Sequence, residues 1–476
     1  MRKKFLVATV ILFGPMLILA ARPAPRANPP KTMPAANEAG LKSFDGYLFD
    51  QNETGKRKGK RTDAALLMRD GQVLYEKYAR GYDPSKKHIM WSTSKTAMAL
   101  LLGVAEKDHL ARRDQSICDF LKNVRKELCR IRIQDLLQWS SGLRWREEYE
   151  NASTPRVSSV LAMLYGEGRG DMAQFVLGHE FDQGASPGQT WRYSSGDSIL
   201  LAAVLGQIYH GQDLREVFRE KLYGPLGMNN WLWEADAAGT ISGSYYFFVS
   251  AQDLARLGRI FMNDGVVDGK KIVDRDFIDF MRTVPESFIK DRRDHGLSRH
   301  VSGAHLWLNK SDVPGFAKPW PSAPDDTVVT MGHWGQFLVV IPSLKVEAVR
   351  LGDNRDHSFL VDEFVARVIE AATGAAPLPS PKSAETKAKA LATTADEHLY
   401  KDGIISLGLR FTARAYCSCL FVAKNNEATC RDYASLEQVS PRLSVDYERK
   451  QTKSSLFFIF AETAEYMGAG KGCVAK

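Results

Sequence analysis

A chain of 476 residues is longer than one hydrophobic core usually supports, so we expect two domains. The hydrophobic share of 44% and the charged share of 25% are typical of a globular protein and exclude a fibrous or disordered chain. The net charge of +8 is mild and scattered, and its densest basic run, Lys56–Arg61, is interpreted as a solvated loop. Composition and charge therefore give no support to nucleic-acid binding.

The first 21 residues have the pattern of an export signal. Arg2, Lys3 and Lys4 precede the apolar run Phe5–Ala21, which is followed by the proline-rich Arg22–Pro34. An uncleaved membrane anchor is the alternative, although the run is short for a membrane span. We therefore expect an exported protein, periplasmic or attached to the membrane by residues 1–21, with residues 22–44 as a linker.

The next elements predict one mixed α/β domain over residues 45–372. Strand-like runs separated by tight turns stand at both ends of this region, and helical patterns lie between them. The predicted strands are Ala64–Arg69, Gln72–Tyr78, Gln336–Ile341 and Lys345–Leu351, with a small hairpin at Val266–Val273. The predicted helices are Ser94–Lys107, Ile133–Trp139, Ser198–Ile208, Leu214–Leu222 and a helix capped at Ser250 that runs through Met262. This order predicts an antiparallel sheet flanked by helices, with a helical subdomain between the strands.

The end of the chain predicts a small accessory module. Residues 373–390 have linker composition, and residues 391–476 contain strand-like runs at Leu407–Ala415 and Ser454–Phe460. Four cysteines fall here, Cys417, Cys419, Cys430 and Cys473, whereas Cys118 and Cys129 lie close together in the larger domain. Clustered cysteines of even number in an exported chain favour disulfides, with a metal site at Cys417-x-Cys419 as the less favoured alternative.

Ser92-Thr93-Ser94-Lys95 is an S-x-x-K motif at the start of an apolar, and therefore buried, predicted helix. Three residues along a helix lie on one face, so the Lys95 amine should return beside the Ser92 hydroxyl. Burial disfavours the charged form of lysine, which makes Lys95 a candidate base for a serine nucleophile. The motif alone also fits an N-cap serine with a solvated lysine.

Two later motifs favour the catalytic pair over the N-cap serine with a solvated lysine. Pro187–Asp197 (PGQTWRYSSGD) and Gly332–Gln336 (GHWGQ) follow in order, together with IRIQDLLQWSSGL, PLGM and SAQDLARLGRIF. In these segments, over residues 45–370, the chain resembles the S-x-x-K serine hydrolases. That group includes class C β-lactamases, penicillin-binding DD-peptidases, related esterases and 6-aminohexanoate-dimer hydrolases. The resemblance implies an α/β sandwich of the β-lactamase/transpeptidase type, and it does not extend to the C-terminal module.

The resemblance also implies roles for the matching residues. Ser92 would be the nucleophile, Lys95 its base, and Tyr193 a proton shuttle to the leaving group. The backbone N–H groups of Ser92 and Gln336 would form the oxyanion hole. The remaining substrate-binding positions would be Ser195, His333, Trp334 and Gly335. No metal or organic cofactor is implied, and Asp135, His109 and Asp197 are expected to cap or brace rather than to form a triad.

Two departures from the family pattern bear on the substrate. Ser195 stands where the family often has Asn, and His333 where it commonly has Lys, and both usual residues help to hold β-lactams and D-Ala-D-Ala peptides. We therefore expect a small-molecule ester or amide, or a peptide, as substrate. The alternatives are a D-Ala-D-Ala carboxypeptidase or β-lactamase, and a catalytically idle protein that binds peptidoglycan or a peptide. Association with the cell envelope is expected, and the partner of the C-terminal module is unknown.

Overall fold

The computed structural model describes residues 37–49, 59–149, 157–293, 300–356, 358–376, 403–436, 441–457 and 459–476. All of them belong to one compact unit, Met33–Lys476. The predicted signal or anchor at 1–21, and most of the predicted linkers at 22–44 and 373–390, lie outside the described residues, and the predicted domain boundaries stay predictions.

The helices in chain order are α1 (Glu38–Phe49), α2 (Ser94–Lys107), α3 (Ile133–Leu137), α4 (Ser159–Tyr165), α5 (Met172–Leu177), α6 (Ser195–Ile208), α7 (Leu214–Phe218), α8 (Ala251–Met262), α9 (Arg275–Met281), α10 (Glu286–Lys290), α11 (Val361–Thr373), α12 (Ile404–Cys417) and α13 (Glu427–Ala434). The strands are β1 (Thr62–Arg69), β2 (Gln72–Tyr78), β3 (His88–Ile89), β4 (Trp231–Trp233), β5 (Phe247–Val249), β6 (Val266–Val267), β7 (Lys270–Lys271), β8 (Val301–Ser302), β9 (Trp307–Leu308), β10 (Val328–Gly332), β11 (Gln336–Ile341), β12 (Val346–Gly352), β13 (Arg442–Asp446), β14 (Gln451–Leu456), β15 (Phe460–Tyr466) and β16 (Cys473–Ala475).

A seven-stranded antiparallel sheet forms the centre, in the order β2-β1-β12-β11-β10-β9-β8. The early hairpin joins the late strands through the β1–β12 pair, where Leu66 faces Val349, so the predicted sheet is confirmed. Successive side chains of a strand point to opposite faces. Leu338 of β11 lies beside Gly258 of α8, whereas Phe337 contacts Phe364 of α11. Helices therefore cover both faces, as an α/β sandwich requires.

Helix α2 is confirmed with its predicted bounds, and every residue from Ser94 to Ala105 is buried. Its sequence is apolar nearly all round, so it can only be satisfied in the interior. It packs against α6, which is also largely buried. A helix fixed on all sides holds the residues at its N-terminus in a constant position relative to the sheet.

Three expectations about local structure are wrong, and one of them is the single strand predicted at Ser454–Phe460, which is divided between β14 and β15. Residues 38–44 were expected to be linker, but they begin α1, whose Phe44 and Leu48 are fully buried against α11 and the sheet. The run Leu407–Ala415 was expected to be a strand, and it lies in α12. An alternating run of apolar residues is also compatible with a helix that is buried on most sides. Every residue from Thr412 to Cys417 is buried in α12.

The C-terminal module is a four-stranded antiparallel sheet, β13-β14-β15-β16, packed on α12. Cys417–Cys473 and Cys419–Cys430 form disulfides within it, and Cys118–Cys129 forms the third in the larger domain. The predicted disulfides are confirmed, and the metal alternative at Cys417 and Cys419 is wrong because both sulfurs are bonded. The segment Ile404–Val422 is long and apolar enough to cross a membrane, but 56% of it is buried within the fold.

The module is joined to the larger domain by a buried ion pair. Arg414 of α12 lies 3.1 Å from Glu234, which follows β4, and neither side chain is appreciably exposed. Glu234 also accepts hydrogen bonds from the Ser418 hydroxyl at 2.6 Å and the Cys473 N–H at 3.2 Å. We call these four residues the module joint.

Candidate active site

The S-x-x-K motif lies where a short 3-10 turn, Trp91–Thr93, runs into α2. The Nζ of Lys95 lies 2.9 Å from the Oγ of Ser92 and donates a hydrogen bond to it. Ser92 is half-buried, so it remains accessible from the surface. The predicted return of the lysine beside the serine is confirmed, and the solvated-lysine alternative is wrong because Lys95 is only 1% exposed.

Aromatic faces surround the Lys95 amine. The ring centroids of Tyr245 and Tyr193 lie 4.7 Å and 5.0 Å from Nζ. Burial lowers the pKa of Lys95 to about 7, and the carboxylate of Glu147 acts in the opposite direction. An amine in this state is neutral in much of the population near neutral pH, so it can accept the proton of a neighbouring hydroxyl.

Tyr193 reaches the same point from the second motif. It precedes α6, whose N-cap Ser194 accepts a hydrogen bond from the Asp197 N–H, and the neighbouring Arg192 N–H donates to the Trp139 carbonyl at 2.8 Å. Burial raises the pKa of the Tyr193 phenol, and an interaction with the Ser92 side chain opposes this rise. Tyr193 therefore stays protonated and can relay a proton at the serine oxygen.

The third motif lies against the turn that carries Ser92, and the two backbone segments are in close contact at Gly332. A Cβ at Gly332 would lie 2.1 Å from the Met90 carbonyl oxygen, so only glycine lets β10 lie against the turn that carries Ser92. The Thr93 hydroxyl donates to the Gln336 carbonyl at 3.4 Å. Ser92 and Gln336 thus lie on adjacent elements, and the oxyanion hole formed by their N–H groups stays a prediction.

The Gln336 side chain, unlike its backbone N–H, has a structural role. Its Nε2 donates to the carbonyls of His333 at 3.0 Å and Gly352 at 2.7 Å, and its Oε1 accepts from the Gly352 N–H at 3.0 Å. The side chain is fully buried. It therefore ties the GHWG turn to β12 and holds His333 in place.

The three residues between Gly332 and Gln336 are placed differently from one another. The His333 ring is stacked on Tyr149 at 4.7 Å between ring centroids and is half-buried. Trp334 is nearly buried, 5.3 Å from Trp91 by ring centroids and 3.9 Å below the guanidinium of Arg355. His333 can face a substrate, whereas Trp334 serves mainly as a wall behind it.

Gly335 is required for backbone reasons. Its φ is +94°, and a Cβ there would lie 2.0 Å from Nη1 of Arg350. That guanidinium is fully buried and donates to the Gly335 carbonyl at 2.8 Å. Burial lowers the pKa of Arg350 to about 9. Gly335 thus makes room for the side chain that holds the turn, and its predicted contact with substrate is untested.

Ser195 does not lie at the surface of the site. It is fully buried, and its N–H donates to Glu147 Oε2 at 3.0 Å while its hydroxyl is bonded to Glu147 and Tyr245. The same carboxylate accepts from Trp145 Nε1 at 2.6 Å and from the hydroxyls of Tyr149 at 2.7 Å and Tyr245 at 2.8 Å. The position supports a framework role for Ser195 rather than direct substrate contact.

Glu147, Tyr149 and Tyr245 were missed by the sequence analysis. They come from two segments without a periodic pattern, one after Trp145 and one before β5, and no spacing rule joins them. The only available signal was an acidic residue in the aromatic run Trp145–Tyr149 after a predicted helix. Their position beside Lys95 is a product of the tertiary fold.

Of the three residues expected to cap or brace, Asp135 and Asp197 do so, and His109 does not. Asp135 caps α3 together with Arg132, and Asp197 accepts a hydrogen bond from the Ser141 hydroxyl at 2.7 Å. His109 is exposed in the turn after α2. A further histidine, His305, is buried beneath the site between Ser198 and the Leu137 carbonyl, and burial lowers its pKa to about 3. It is therefore neutral and structural.

Comparisons with known proteins agree with this geometry. A family model described as Beta-lactamase matches residues 49–363, more than half of the chain. A 6-aminohexanoate-dimer hydrolase of Paenarthrobacter ureafaciens is 23% identical over 234 residues, which are 46% of this chain and 56% of the relative. The match thus spans little more than half the length of that curated relative.

Two solved structures have the same fold. A Bacillus anthracis protein, provisionally named a 6-aminohexanoate-dimer hydrolase, has a TM-score of 0.54 and 19% identity, over 67% of this chain and 81% of that chain. A penicillin-binding protein homologue from Caulobacter crescentus has a TM-score of 0.51 and 16% identity, over 72% of this chain and 98% of that chain.

Proposed function

Because the chain belongs to the beta-lactamase family of serine hydrolases, we propose that it hydrolyses an ester or an amide through an acyl-serine intermediate on Ser92. The observation that carries the proposal is the 2.9 Å contact between Ser92 Oγ and a buried Lys95 whose pKa falls to about 7. A serine with a neutral amine at this distance is an activated nucleophile.

The proposed reaction has the following steps. Ser92 Oγ attacks the substrate carbonyl carbon as its proton passes to the Lys95 amine, which becomes an ammonium. The tetrahedral oxyanion is stabilised by the N–H groups of Ser92 and Gln336. As the bond to the leaving oxygen or nitrogen breaks, the Tyr193 hydroxyl gives that atom a proton and is reprotonated from Lys95. Water then attacks the acyl group by the same proton transfers in reverse, which releases the acid and restores Ser92.

The walls of the site support a substrate with an apolar acyl part. Trp91, which precedes Ser92 in the chain, lies in ring contact with His333 and Trp334, and His333 contacts Tyr149. The curated relative is named for hydrolysis of an amide, 6-aminohexanoate dimer. At the two positions where the family commonly has Asn and Lys to hold a β-lactam or a D-Ala-D-Ala peptide, this chain has a buried Ser195 and the imidazole of His333. Short-chain p-nitrophenyl esters should therefore be cleaved faster than nitrocefin, and nitrocefin turnover typical of a dedicated β-lactamase would contradict this preference.

A fluorophosphonate probe tests the nucleophile. Wild-type protein should be labelled on Ser92, and Ser92→Ala should lose both labelling and ester turnover. Ser94→Ala is the matched control, because this hydroxyl is buried two residues away without a hydrogen-bond partner among the described residues. Labelling of neither wild type nor Ser94→Ala would favour the idle-binder alternative, in which the cleft holds peptidoglycan or a peptide.

The location of the protein is proposed from the disulfides. Three cross-links that involve all six cysteines favour an oxidising compartment, and the signal-like residues 1–21 support export to the periplasm or its membrane surface. Fractionation of the producing cell, with thiol alkylation before and after reduction, tests this. Free thiols in protein that cofractionates with the cytosol would contradict it.

A further inference from the structure

The turn between β14 and β15 exposes a cluster of large apolar side chains. Phe457 is 75% exposed, Ile459 is 78% exposed and Phe460 is about half exposed. Ile404 and Ile405, at the start of α12, are also exposed. The hydrogen bond from the Ser406 hydroxyl to Glu462 of β15 places them at the same end of the module. We call these five residues the apolar tip.

The turn itself is built from residues that a turn does not prefer. Leu456 pairs with Phe460, and the Ile459 N–H donates to the Leu456 carbonyl at 3.2 Å, so the chain reverses tightly. Phe457 has a φ of +52°, a conformation that favours glycine or asparagine and disfavours a bulky side chain. Neither local backbone preference nor packing explains an aromatic residue here. An exposed aromatic side chain in an unfavourable backbone conformation indicates an interaction.

Basic side chains flank the tip on the outer face of the sheet. Thr452 and Ser454 point inward and are buried, so Lys453 points outward, and it is exposed. Arg442 is exposed on the same face, since it pairs with Ser455, two residues along from Lys453. Within the part of the chain that the structure describes, neither side chain has an ion-pair partner. Glu462 of β15, two residues from Phe460, points inward and is paired with Arg410 at 3.2 Å.

We propose that the apolar tip inserts into the surface of a lipid bilayer with anionic headgroups, which Arg442 and Lys453 contact. An exposed apolar turn can insert into the hydrocarbon region of a membrane, whereas it would fit a flat protein surface less well. Binding of this kind grows with the apolar area inserted and with attraction between basic side chains and anionic lipid. The tip lies outside the catalytic pocket, so the inference does not depend on the proposed reaction.

A tryptophan placed at the tip gives the direct test. The full chain with Phe457→Trp is added to phosphatidylglycerol vesicles with brominated acyl chains, which quench only indoles that enter the lipid. We expect quenching beyond that of the wild type for Phe457→Trp and none for Val73→Trp, an exposed control on β2. Absence of additional quenching at position 457 overturns the proposal.

Co-sedimentation separates the two contributions. Phe457→Ser/Ile459→Ser should bind phosphatidylglycerol vesicles at least about ten-fold more weakly than wild type, because the inserted area is lost. Arg442→Gln/Lys453→Gln should weaken binding on the order of ten-fold, only on anionic vesicles and less at high salt. Val73→Ser/Ile289→Ser, which alters exposed apolar residues elsewhere, should bind as wild type does.

All these side chains are exposed, so thermal unfolding should match the wild type and a folding defect is readily recognised. Equal vesicle binding by the wild type and the tip variant would contradict the proposal. So would a wild-type dimer that the tip variant alone abolishes while vesicle binding is unchanged, because the tip would then be a self-association surface.

Discussion

Two buried cations show how the catalytic pocket differs from the module joint. In the pocket, Lys95 contacts the Ser92 hydroxyl and the faces of two tyrosines, and no carboxylate lies within ion-pair distance among the described residues. In the joint, Arg414 contacts Glu234 directly at 3.1 Å. Burial lowers the pKa of Lys95 to about 7. The pKa of Arg414 lies above its usual value, because Tyr246 and Glu234 favour the guanidinium although burial opposes it.

The two cations are contacted by consecutive residues of the chain. The ring of Tyr245 faces Lys95 at 4.7 Å, and the ring of Tyr246 faces Arg414 at 3.6 Å. One pair of consecutive tyrosines thus serves a cation that must lose its proton and a cation that must keep it. The comparison teaches that burial makes a base only where the counter-ion is held at a distance, and that a counter-ion in contact makes a structural link.

The largest effect that this comparison predicts is on the rate. Lys95→Ala should lower the rate of acylation on the order of 10³-fold to 10⁴-fold, because Lys95 Nζ is the one amine that hydrogen-bonds to Ser92 Oγ among the described residues. His333→Ala should change KM more than kcat, since the sequence predicts a substrate-binding role for this half-buried ring. Pre-steady-state acylation of both variants is the measurement. If His333→Ala loses acylation while Lys95→Ala keeps it, the roles must be exchanged.

The second effect is on stability. Glu234→Gln leaves Arg414 buried without its counter-ion, and breaking a buried pair costs about 3 kcal/mol or more. Urea unfolding of the variant should show this loss, while kcat at a temperature where it stays folded should change little. The control Glu363→Gln breaks a half-exposed pair with Arg367 and should cost less than about 1 kcal/mol. A large fall in kcat without loss of stability would show that the joint is catalytic after all.

The third effect concerns the disulfide of the joint. Cys417→Ser/Cys473→Ser opens the cross-link between residues 56 apart in sequence and should lower stability by about 2 to 4 kcal/mol. Tryptophan fluorescence reports unfolding of the larger domain. Comparing this signal with the unfolding of the whole chain decides whether the module and that domain unfold together. Because they share a hydrophobic core, we expect a single transition. Two separate transitions would show that the module folds independently.

The smallest effect is a displaced pH profile. The base form of Lys95 must be neutral, so kcat/KM should rise with pH through a pKa of about 7. Glu147 favours the ammonium, and Glu147→Gln should therefore move this rising limb to lower pH. Glu148→Gln, which alters the neighbouring carboxylate, should leave the limb in place. A shift to higher pH in Glu147→Gln would mean that Glu147 does not act on Lys95 through its charge.

The sequence predicted the parts of the site that local rules determine. Helical spacing brings Lys95 back to Ser92, and the apolar run around them requires burial. The strands Gln72–Tyr78 and Gln336–Ile341 have the predicted bounds, because turns with Asp70-Gly71 and Pro342 delimit them. Those rules act over a few residues, so they hold before the rest of the chain is placed.

What the sequence did not predict depends on distant segments meeting. Glu147 and Tyr245 are 98 residues apart and share a hydrogen bond only because the fold brings them together. Ser195 looked like a substrate contact by position in its motif, but the Glu147 carboxylate holds it inside. Residues Leu407–Ala415 alternate as a strand would, and only their burial against the four-stranded sheet decides for a helix.

The close backbone contact at Gly332 has a consequence for redesign of the enzyme. The spacing between the strand that carries His333 and the turn that carries the nucleophile depends on the absence of one carbon atom. Libraries that seek a new substrate range should therefore leave position 332 unchanged and diversify position 333, whose side chain is half-buried. Gly332 and Gly335 thus mark two positions of this turn where a side chain does not fit, and position 333 lies between them.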